Sequence, residues 1–341
     1  MNNRQIVLAR RPVGPIDDST TTLVSTARPA CGVGQALIRV GMLSIDPTIR
    51  TWMDDAPGYL EPIAVGDVVR GGGAGVVVES QNPHYRVGDV VTGMTGWQEW
   101  VLATSENRFS VLTPGVGIDL GTYMNVLGVT GLTAYFGLTD VGSMVAGDVV
   151  VVSAAAGATG SVVGQVARAL GASRVVGIAG GPEKCARVVE RYGFDECVDY
   201  RRGDVRAQLR ASCPMGVDLY FDNVGGAVLD AVLTCVSRRA RIVLCGAISQ
   251  YNVAESRDRL ANTSMLIVRR ARMEGFLILD YGARFAEGRT QLANLVRAGA
   301  IRHDEHIVNG LEHAPDALNL LFRGDNVGKT LVAVDESVRL D

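Results

Sequence analysis

The run Val149-Val150-Val151-Val152-Ser153-Ala154-Ala155-Ala156-Gly157-Ala158-Thr159-Gly160-Ser161 decides the fold class of this chain. Four valines and a serine predict a strand, and the small residues after them predict a tight turn. Val162, Val163, Val166 and Leu170 then recur at helical spacing, which predicts a helix facing a sheet, with Gln165 and Arg168 facing water. A second β-branched run, Val175-Val176-Gly177-Ile178, closes a βαβ unit. The turn is of the AxxGxxG kind. Only small residues there let backbone N–H groups approach a pyrophosphate seated on the helix N-terminus. The unit therefore predicts a dinucleotide site.

The end of the second strand selects the nucleotide. An NAD-type site places Asp or Glu there to accept from the adenosine ribose hydroxyls. This chain reads Ile178-Ala179-Gly180-Gly181-Pro182-Glu183-Lys184, with no acid directly after the strand. Lys184 falls where a 2′-phosphate would lie, which favours NADP, although an ordinary solvated lysine would have the same spacing. Glu183 suits the first turn of the next helix, where a carboxylate meets the dipole, and it also stands as the one alternative ribose acid.

Outward from this unit, 341 residues are enough for two domains, and 47% hydrophobic with 20% charged residues is a globular composition. A net charge of −3 argues against nucleic acid or an anionic membrane as main partner. Cys31, Cys185, Cys197, Cys213, Cys235 and Cys245 show no CxxC pairing, and the polar start is no signal peptide. Together they predict free thiols and a cytoplasmic protein. No apolar run approaches membrane-spanning length.

Residues 1 to about 120 show short strands between turns: Gln35–Val40, Gly75–Glu79, Asp89–Val91 and Trp97–Val101. Val65-Gly66-Asp67 and Val87-Gly88-Asp89 are near copies, each feeding a strand. A β-rich partial barrel is expected there, and helix from Leu120 to Asp140. Strands at 149–153, 174–178, 197–200, 217–221, 240–245 and 274–279 predict a doubly wound parallel sheet, an α/β Rossmann architecture. An amphipathic helix follows at 285–299, then a tail with a helix and a last strand, Thr330–Val334. Ligands bind outside the carboxyl ends of such strands. That topology selects Tyr200, Asp222 to Gly226, and Cys245-Gly246-Ala247-Ile248-Ser249, although Gly225-Gly226 and Asn223 would equally end a strand or cap a helix.

The histidines are His84, His303, His306 and His313. His303 and His306 sit three apart without a grouped cysteine or third histidine, which predicts a solvated polar segment and no metal site. No GxSxG elbow and no Cys–His constellation is present. The chemistry, if any, is expected from a nicotinamide.

An ordered set of motifs resembles one family along nearly the whole chain. It comprises Ser44-Ile45-Asp46-Pro47 with Arg50, Gly93 to Glu99, Gly131 to Gly137, Ala154 to Gly164, Tyr220 to Gly226, Cys245 to Asn252, Ala271 to Phe276, and Gly324 to Lys329. The set is similar to the medium-chain dehydrogenase/reductase superfamily, within it the zinc-independent alkenal/one oxidoreductases that include prostaglandin reductases, plant double-bond reductases and bacterial curcumin reductase. The resemblance implies a GroES-like β-rich substrate domain, residues 1–122 and 305–341, and a Rossmann domain, residues 123–304. It implies NADP(H), with the diphosphate at Ala158, Thr159, Gly160 and Ser161 and the 2′-phosphate near Lys184 and Tyr200. It adds Asn223, the turn from Cys245 to Tyr251, Phe276, Leu277, Ile278 and Asn326. Zinc-dependent relatives carry Gly-His-Glu where this chain reads Arg70-Gly71-Gly72, so no metal is implied, and a homodimer is.

The chain departs from the family's pattern in places. Gly180 stands where a serine is common, Val129-Thr130 where a proline is common, and Thr48 where an aromatic is common. A tyrosine proposed as catalytic in some relatives falls at about Val268 here. The reaction implied is hydride transfer to the β-carbon of an α,β-unsaturated ketone or aldehyde and protonation at the α-carbon. The candidate donors are Tyr59, Tyr251 and a nicotinamide ribose hydroxyl. A quinone or enoyl-thioester reductase of the same superfamily, and a non-catalytic NADPH-binding protein, remain the alternatives.

Overall fold

The computed structural model describes residues 2–56, 58–113, 115, 118–253 and 260–339, so Pro57, beside the candidate Tyr59, lies outside the described residues. The first strands are β1 (Asn2–Leu8), β2 (Thr21–Ala27), β3 (Ala36–Ser44), β4 (Gly72–Ser80), β5 (Val90–Met94), β6 (Trp100–Ala103) and β7 (Ser110–Val111). The parallel series follows: β8 (Val149–Ser153), β9 (Arg174–Ala179), β10 (Glu196–Asp199), β11 (Val217–Asp222), β12 (Val236–Leu244) and β13 (Arg272–Gly275). The chain ends with β14 (Glu305–Asn309) and β15 (Lys329–Ala333).

Strands β8 to β13 form one parallel sheet of order β10-β9-β8-β11-β12-β13, the expected α/β Rossmann sheet. Because both of its faces are covered, its strands are apolar on both sides. Val150 and Val152 enter one core with Val162, Val163 and Val166, while Val151 enters the opposite core with Val176, Ile178 and Tyr220. Each fully buried valine contributes about 1.5–3 kcal/mol. The second sheet, of order β14-β15-β3-β4-β5-β7 with β6 on β3, is antiparallel apart from the β14–β15 pair. Its core holds Trp97, Ile38, Val40 and Val91, joined by Ala314, Ala317 and Leu318 from the tail helix Ala314–Arg323. The returning tail thus belongs to the second sheet through both strand pairing and packing. The hairpin β1–β2 and strand β14 have no counterpart in the sequence reading.

Several expectations need correction. The strand placed at 274–279 is Arg272–Gly275. Pairing with β12 stops at Gly275, Phe276 turns into the core against Tyr281, and Ile278 opens a 3-10 helix running to Arg284. The strand placed at 197–200 stops at Asp199, whose carboxylate accepts from Arg201 N–H and starts a 3-10 turn at Tyr200. The Trp97–Val101 strand begins only at Trp100. Gln165 does not face water: it is buried and exchanges hydrogen bonds with the Arg302 backbone, because the chain crossing between the sheets covers that helix face. Leu170, at the helix end, is 40% exposed. His303 is no solvated residue either. Its ring bonds Glu305 at 2.6 Å and Thr122 at 3.2 Å.

Candidate active site

The site is built at the carboxyl ends of β8, β9, β11 and β12. Asp222 ends β11 fully buried and accepts from Tyr220 Oη at 2.7 Å, Ser153 Oγ at 3.0 Å, and the N–H groups of Val224 and Gly225. A buried carboxylate is tolerable only when so saturated, and the same bonds fix the turn that follows. Burial, and then the Asp222 charge, push the Tyr220 phenol well above its ordinary pKa, so it stays a donor. Asn223 is drawn onto β8: its backbone N–H donates to Ser153 Oγ at 2.9 Å and its Nδ2 to Ser153 O at 2.8 Å.

The turn from Cys245 to Tyr251 hangs on this platform. Cys245 and Gly246 N–H donate to Asp222 O, Ile248 N–H to Asn223 O, and both the N–H and Oγ of Ser249 to Val224 O. Inside the turn Ala247 N–H donates to Tyr251 Oη at 3.0 Å. Burial pushes the Cys245 thiol up to about 12, so it is no thiolate nucleophile.

Across β8, the helix Ala158–Ala169 starts at Gly157 without a side-chain cap. A Cβ on Gly160 would lie 2.3 Å from Ala154 O, so no other residue fits without moving backbone. Ser161 is buried; its Oγ donates to Ala158 O and its N–H to Gly157 O, so both donors point into the turn and away from any ligand. The tail reaches this turn directly. Gly328 N–H donates to Ala156 O at 3.0 Å, and Asn326 Nδ2 lies 3.2 Å from Gly328 O. The cradle, an uncapped helix start with glycine at its tightest contact, fits a pyrophosphate.

At the end of β9, Lys184 is half-buried in the first turn of the helix Pro182–Glu190, and Glu183 sits beside it in the exposed first turn. Tyr200 stands above Gly180, where a Cβ would fall 2.6 Å from Tyr200 Oη. Of the Phe276-Leu277-Ile278 segment, Phe276 and Ile278 pack on the core, and Leu277 points outward.

Facing this platform from the second sheet, Tyr59 is 44% exposed, bonds Thr48 Oγ1 at 2.5 Å, and meets Trp52 edge-on at 6.3 Å. Tyr59 and Tyr251 lie close enough that Tyr59 acts on the Tyr251 phenol, whose pKa is raised first by burial. The two candidate donors come from stretches nearly two hundred residues apart in sequence, Tyr59 lining a hollow with Trp52 and Leu60 and Tyr251 one with Asp222 and Cys245. Val268, where some relatives carry a tyrosine, is 60% exposed on the helix Ser264–Arg269.

Residues 4–111 match the family model for the N-terminal domain of oxidoreductase, and residues 158–294 that for zinc-binding dehydrogenase. The NADPH-dependent curcumin reductase of Escherichia coli is 39% identical over 97% of both chains. The 2-alkenal reductase (NADP(+)-dependent) of Nicotiana tabacum is 38% identical over 98% of both. This chain belongs to the medium-chain dehydrogenase/reductase superfamily, in its alkenal/one oxidoreductase group. The solved structure of CurA from Vibrio vulnificus in complex with NADPH superposes with a TM-score of 0.91 at 40% identity, covering 97% of this chain and 99% of that one.

Two side chains of this medium-chain reductase join the site without having been singled out in the sequence. Lys329 is buried, with Nζ 2.6 Å from Asp46 Oδ1 and 3.1 Å from Ile45 O, tying the tail to the loop that carries Thr48. Arg201, directly after Tyr200, brings its guanidinium to the Gly180-Gly181 corner. Two consecutive arginines after a tyrosine at a strand end were the available signal for the latter. For Lys329 the signal was its place at the end of the motif Gly324 to Lys329, which said nothing of its pairing with Asp46. Among the described residues no group of three His, Cys, Asp or Glu side chains is arranged to hold a metal ion, and no helix is long and apolar enough to cross a membrane.

Proposed function

We propose that this protein is an NADPH-dependent reductase of the carbon–carbon double bond of α,β-unsaturated ketones and aldehydes, working without a metal. The observation that carries the reading is the dinucleotide cradle, an uncapped helix start after Gly157 with no room for a side chain at Gly160, in a chain similar end to end to an NADPH-dependent curcumin reductase and an NADP-dependent 2-alkenal reductase. When bound, the nicotinamide supplies the hydride for the β-carbon. The protein's part is placement. Backbone at Ala158, Thr159 and Gly160 would meet the diphosphate, Lys184 and Tyr200 would border the 2′-phosphate, and Asn223, Asn326 and the Cys245–Tyr251 turn would line the nicotinamide half. Ser161 and Phe276 contribute packing rather than donors. As hydride arrives, the substrate oxygen gains negative charge, and a phenol O–H aimed at it stabilises that charge. Tyr251 accepts from Ala247 N–H and so keeps its own proton to donate. Proton delivery to the α-carbon then falls to Tyr59, Tyr251 or a nicotinamide ribose hydroxyl.

The finer assignments rest on further observations. The pairing of β15 with β3 supports a substrate domain of residues 1–122 and 305–341 and a nucleotide domain of residues 123–304. Strand β13 is a sheet edge flanked by Ile267, Val268 and Leu279, all more than half exposed, which supports a homodimer formed through that edge. Six free cysteines support a cytoplasmic location.

The test is NADPH oxidation, followed by its near-ultraviolet absorbance, against a long-chain 2-alkenal, a β-aryl enone, a quinone and an enoyl-CoA, with NADH in parallel. Turnover of the enal and enone is expected. Activity confined to the quinone or the thioester would sink the assignment, and tight NADPH binding with no turnover would favour a non-catalytic role.

A further inference from the structure

The corner at the end of β9 holds more positive charge than its neighbours neutralise. The Lys184 ammonium is held below its ordinary value first by burial and then by the positive charge of Arg201, which places the two cations close together. Neither forms an ion pair among the described residues. The acids nearby are committed elsewhere. Asp199 Oδ1 accepts from Gly181 N–H at 2.8 Å and Arg201 N–H at 3.0 Å, so it serves the backbone of the turn. Asp325, in the tail, bonds Arg323 at 3.1 Å and is the one carboxylate that also acts on Lys184.

The guanidinium of Arg201 has a defined position. Its Nη1 lies 3.9 Å from the place a Cβ on Gly181 would take, and its Nη2 lies 3.8 Å from the corresponding place at Gly324. Both glycines have positive φ, so the chain passes the guanidinium at two points where no side chain intervenes. Tyr200 Oη stands over Gly180 at the same corner. Arg202, the next residue, acts instead on Cys185. A like-charged pair whose one acting carboxylate, Asp325, is shared with Arg323 is unfavourable unless a further anion joins it, and a planar guanidinium suits a phosphate.

We propose that Arg201 is the specificity-determining residue for the adenosine 2′-phosphate, acting with Lys184 and supplying the contact that a hydroxyl at position 180 would make. This rests on the NADPH reading above and deepens it. With Asp199 Oδ1 held by the backbone and Glu183 out in the exposed first turn, no carboxylate is placed to hold an unphosphorylated ribose as an acid after β9 would. It offers the phosphate two cations and a phenol. Selectivity for NADPH therefore comes from charge that only a 2′-phosphate neutralises.

The experiment titrates the intact protein with adenosine 2′,5′-bisphosphate and with 5′-AMP, by calorimetry, for the wild type, R201A, R201K and R202A. R201A is expected to weaken the bisphosphate by about tenfold or more, the loss of a charge-assisted hydrogen bond, and to leave 5′-AMP unchanged. R201K should recover part of the loss, and R202A should match the wild type. The KM for NADPH should rise in R201A while that for NADH does not. Bisphosphate binding by R201A equal to that of R202A would overturn the proposal, leaving Arg201 a solvated side chain. A wild type that binds both fragments equally would instead overturn the NADPH preference itself. Loss of both fragments in R201A alike would show a turn collapsed without its arginine, and would also count against a phosphate-specific role.

Discussion

The Tyr200 hydroxyl occupies the space that a side chain on Gly180 would need: a Cβ there would lie 2.6 Å from Oη and 2.7 Å from Cζ. A serine at 180 therefore cannot be added to this pocket without moving the tyrosine. Since Tyr200 is 45% exposed, it swings aside rather than straining the strand. G180S is expected to leave the melting temperature nearly unchanged and to raise the KM for NADPH several-fold, of the order of 1 kcal/mol. Steady-state kinetics with varied NADPH checks this. A lowered KM would mean that the serine adds a phosphate contact after all.

Tyr251 has a structural duty beside its candidate chemical one. Replacing it with Phe removes the acceptor for Ala247 N–H and should cost about 1–2 kcal/mol of stability together with a fall in kcat. Y59F, whose hydroxyl bonds only the Thr48 side chain, should lower kcat with little change in stability. Undiminished turnover in the double variant would assign protonation to the cofactor ribose and water.

The dinucleotide cradle tolerates no side chain at 160. G160A places a methyl 2.3 Å from the Ala154 carbonyl oxygen, so backbone at the turn must shift. Loss of NADPH binding by at least tenfold, read from protein fluorescence, is expected, with destabilisation of about 1–3 kcal/mol.

His303 makes stability depend on pH at the crossing between the two sheets. Its hydrogen bond to Glu305 raises its pKa against the opposing effect of burial, and Asp119 and Asp304 add to the rise. Thr122 is its other ring partner. A histidine with a raised folded pKa adds stability that is complete below its unfolded value, about 6.5, and is lost as pH rises through the folded value. Urea midpoints should therefore fall as pH rises above about 6.5, and H303N should flatten that slope. An unchanged slope in H303N would assign it to another group.

Lys329 bridges tail and substrate loop. K329M leaves Asp46 Oδ1 and the Ile45 carbonyl without their lysine donor, while Ser44 Oγ still donates to Asp46 Oδ2, and about 1–3 kcal/mol of stability should go with it. Because the Asp46 loop carries Thr48, the KM for the enone should rise more than that for NADPH. The reverse ratio would place the effect of Lys329 on the cofactor side.

Much of the nucleotide half was legible because its signals are local. A run such as Val149–Ser153 is a strand wherever it lies, and Gly157, Gly160 and the helix after them satisfy one short stretch of backbone. The family motifs extended that reading across the chain. Boundaries failed where tertiary contact overrode local pattern. Phe276 to Leu279 reads as strand, yet the sheet ends at Gly275 and the aromatic core takes Phe276 instead. Gln165 reads as a solvent residue, yet the Arg302 backbone needed a partner.

By itself, then, the sequence determined the βαβ unit, the parallel sheet, the absence of an acid after β9 and a tyrosine or two fit for a cleft. Only the tertiary structure decided which of these meet. It brought Lys329 to Asp46, Gly328 to Ala156 and Arg201 to Gly181 and Gly324. The physical reason is that hydrophobic periodicity specifies which face of an element is buried. Which distant polar groups come within hydrogen-bonding reach depends on how two sheets and a returning tail close on one another, and no local pattern encodes that distance.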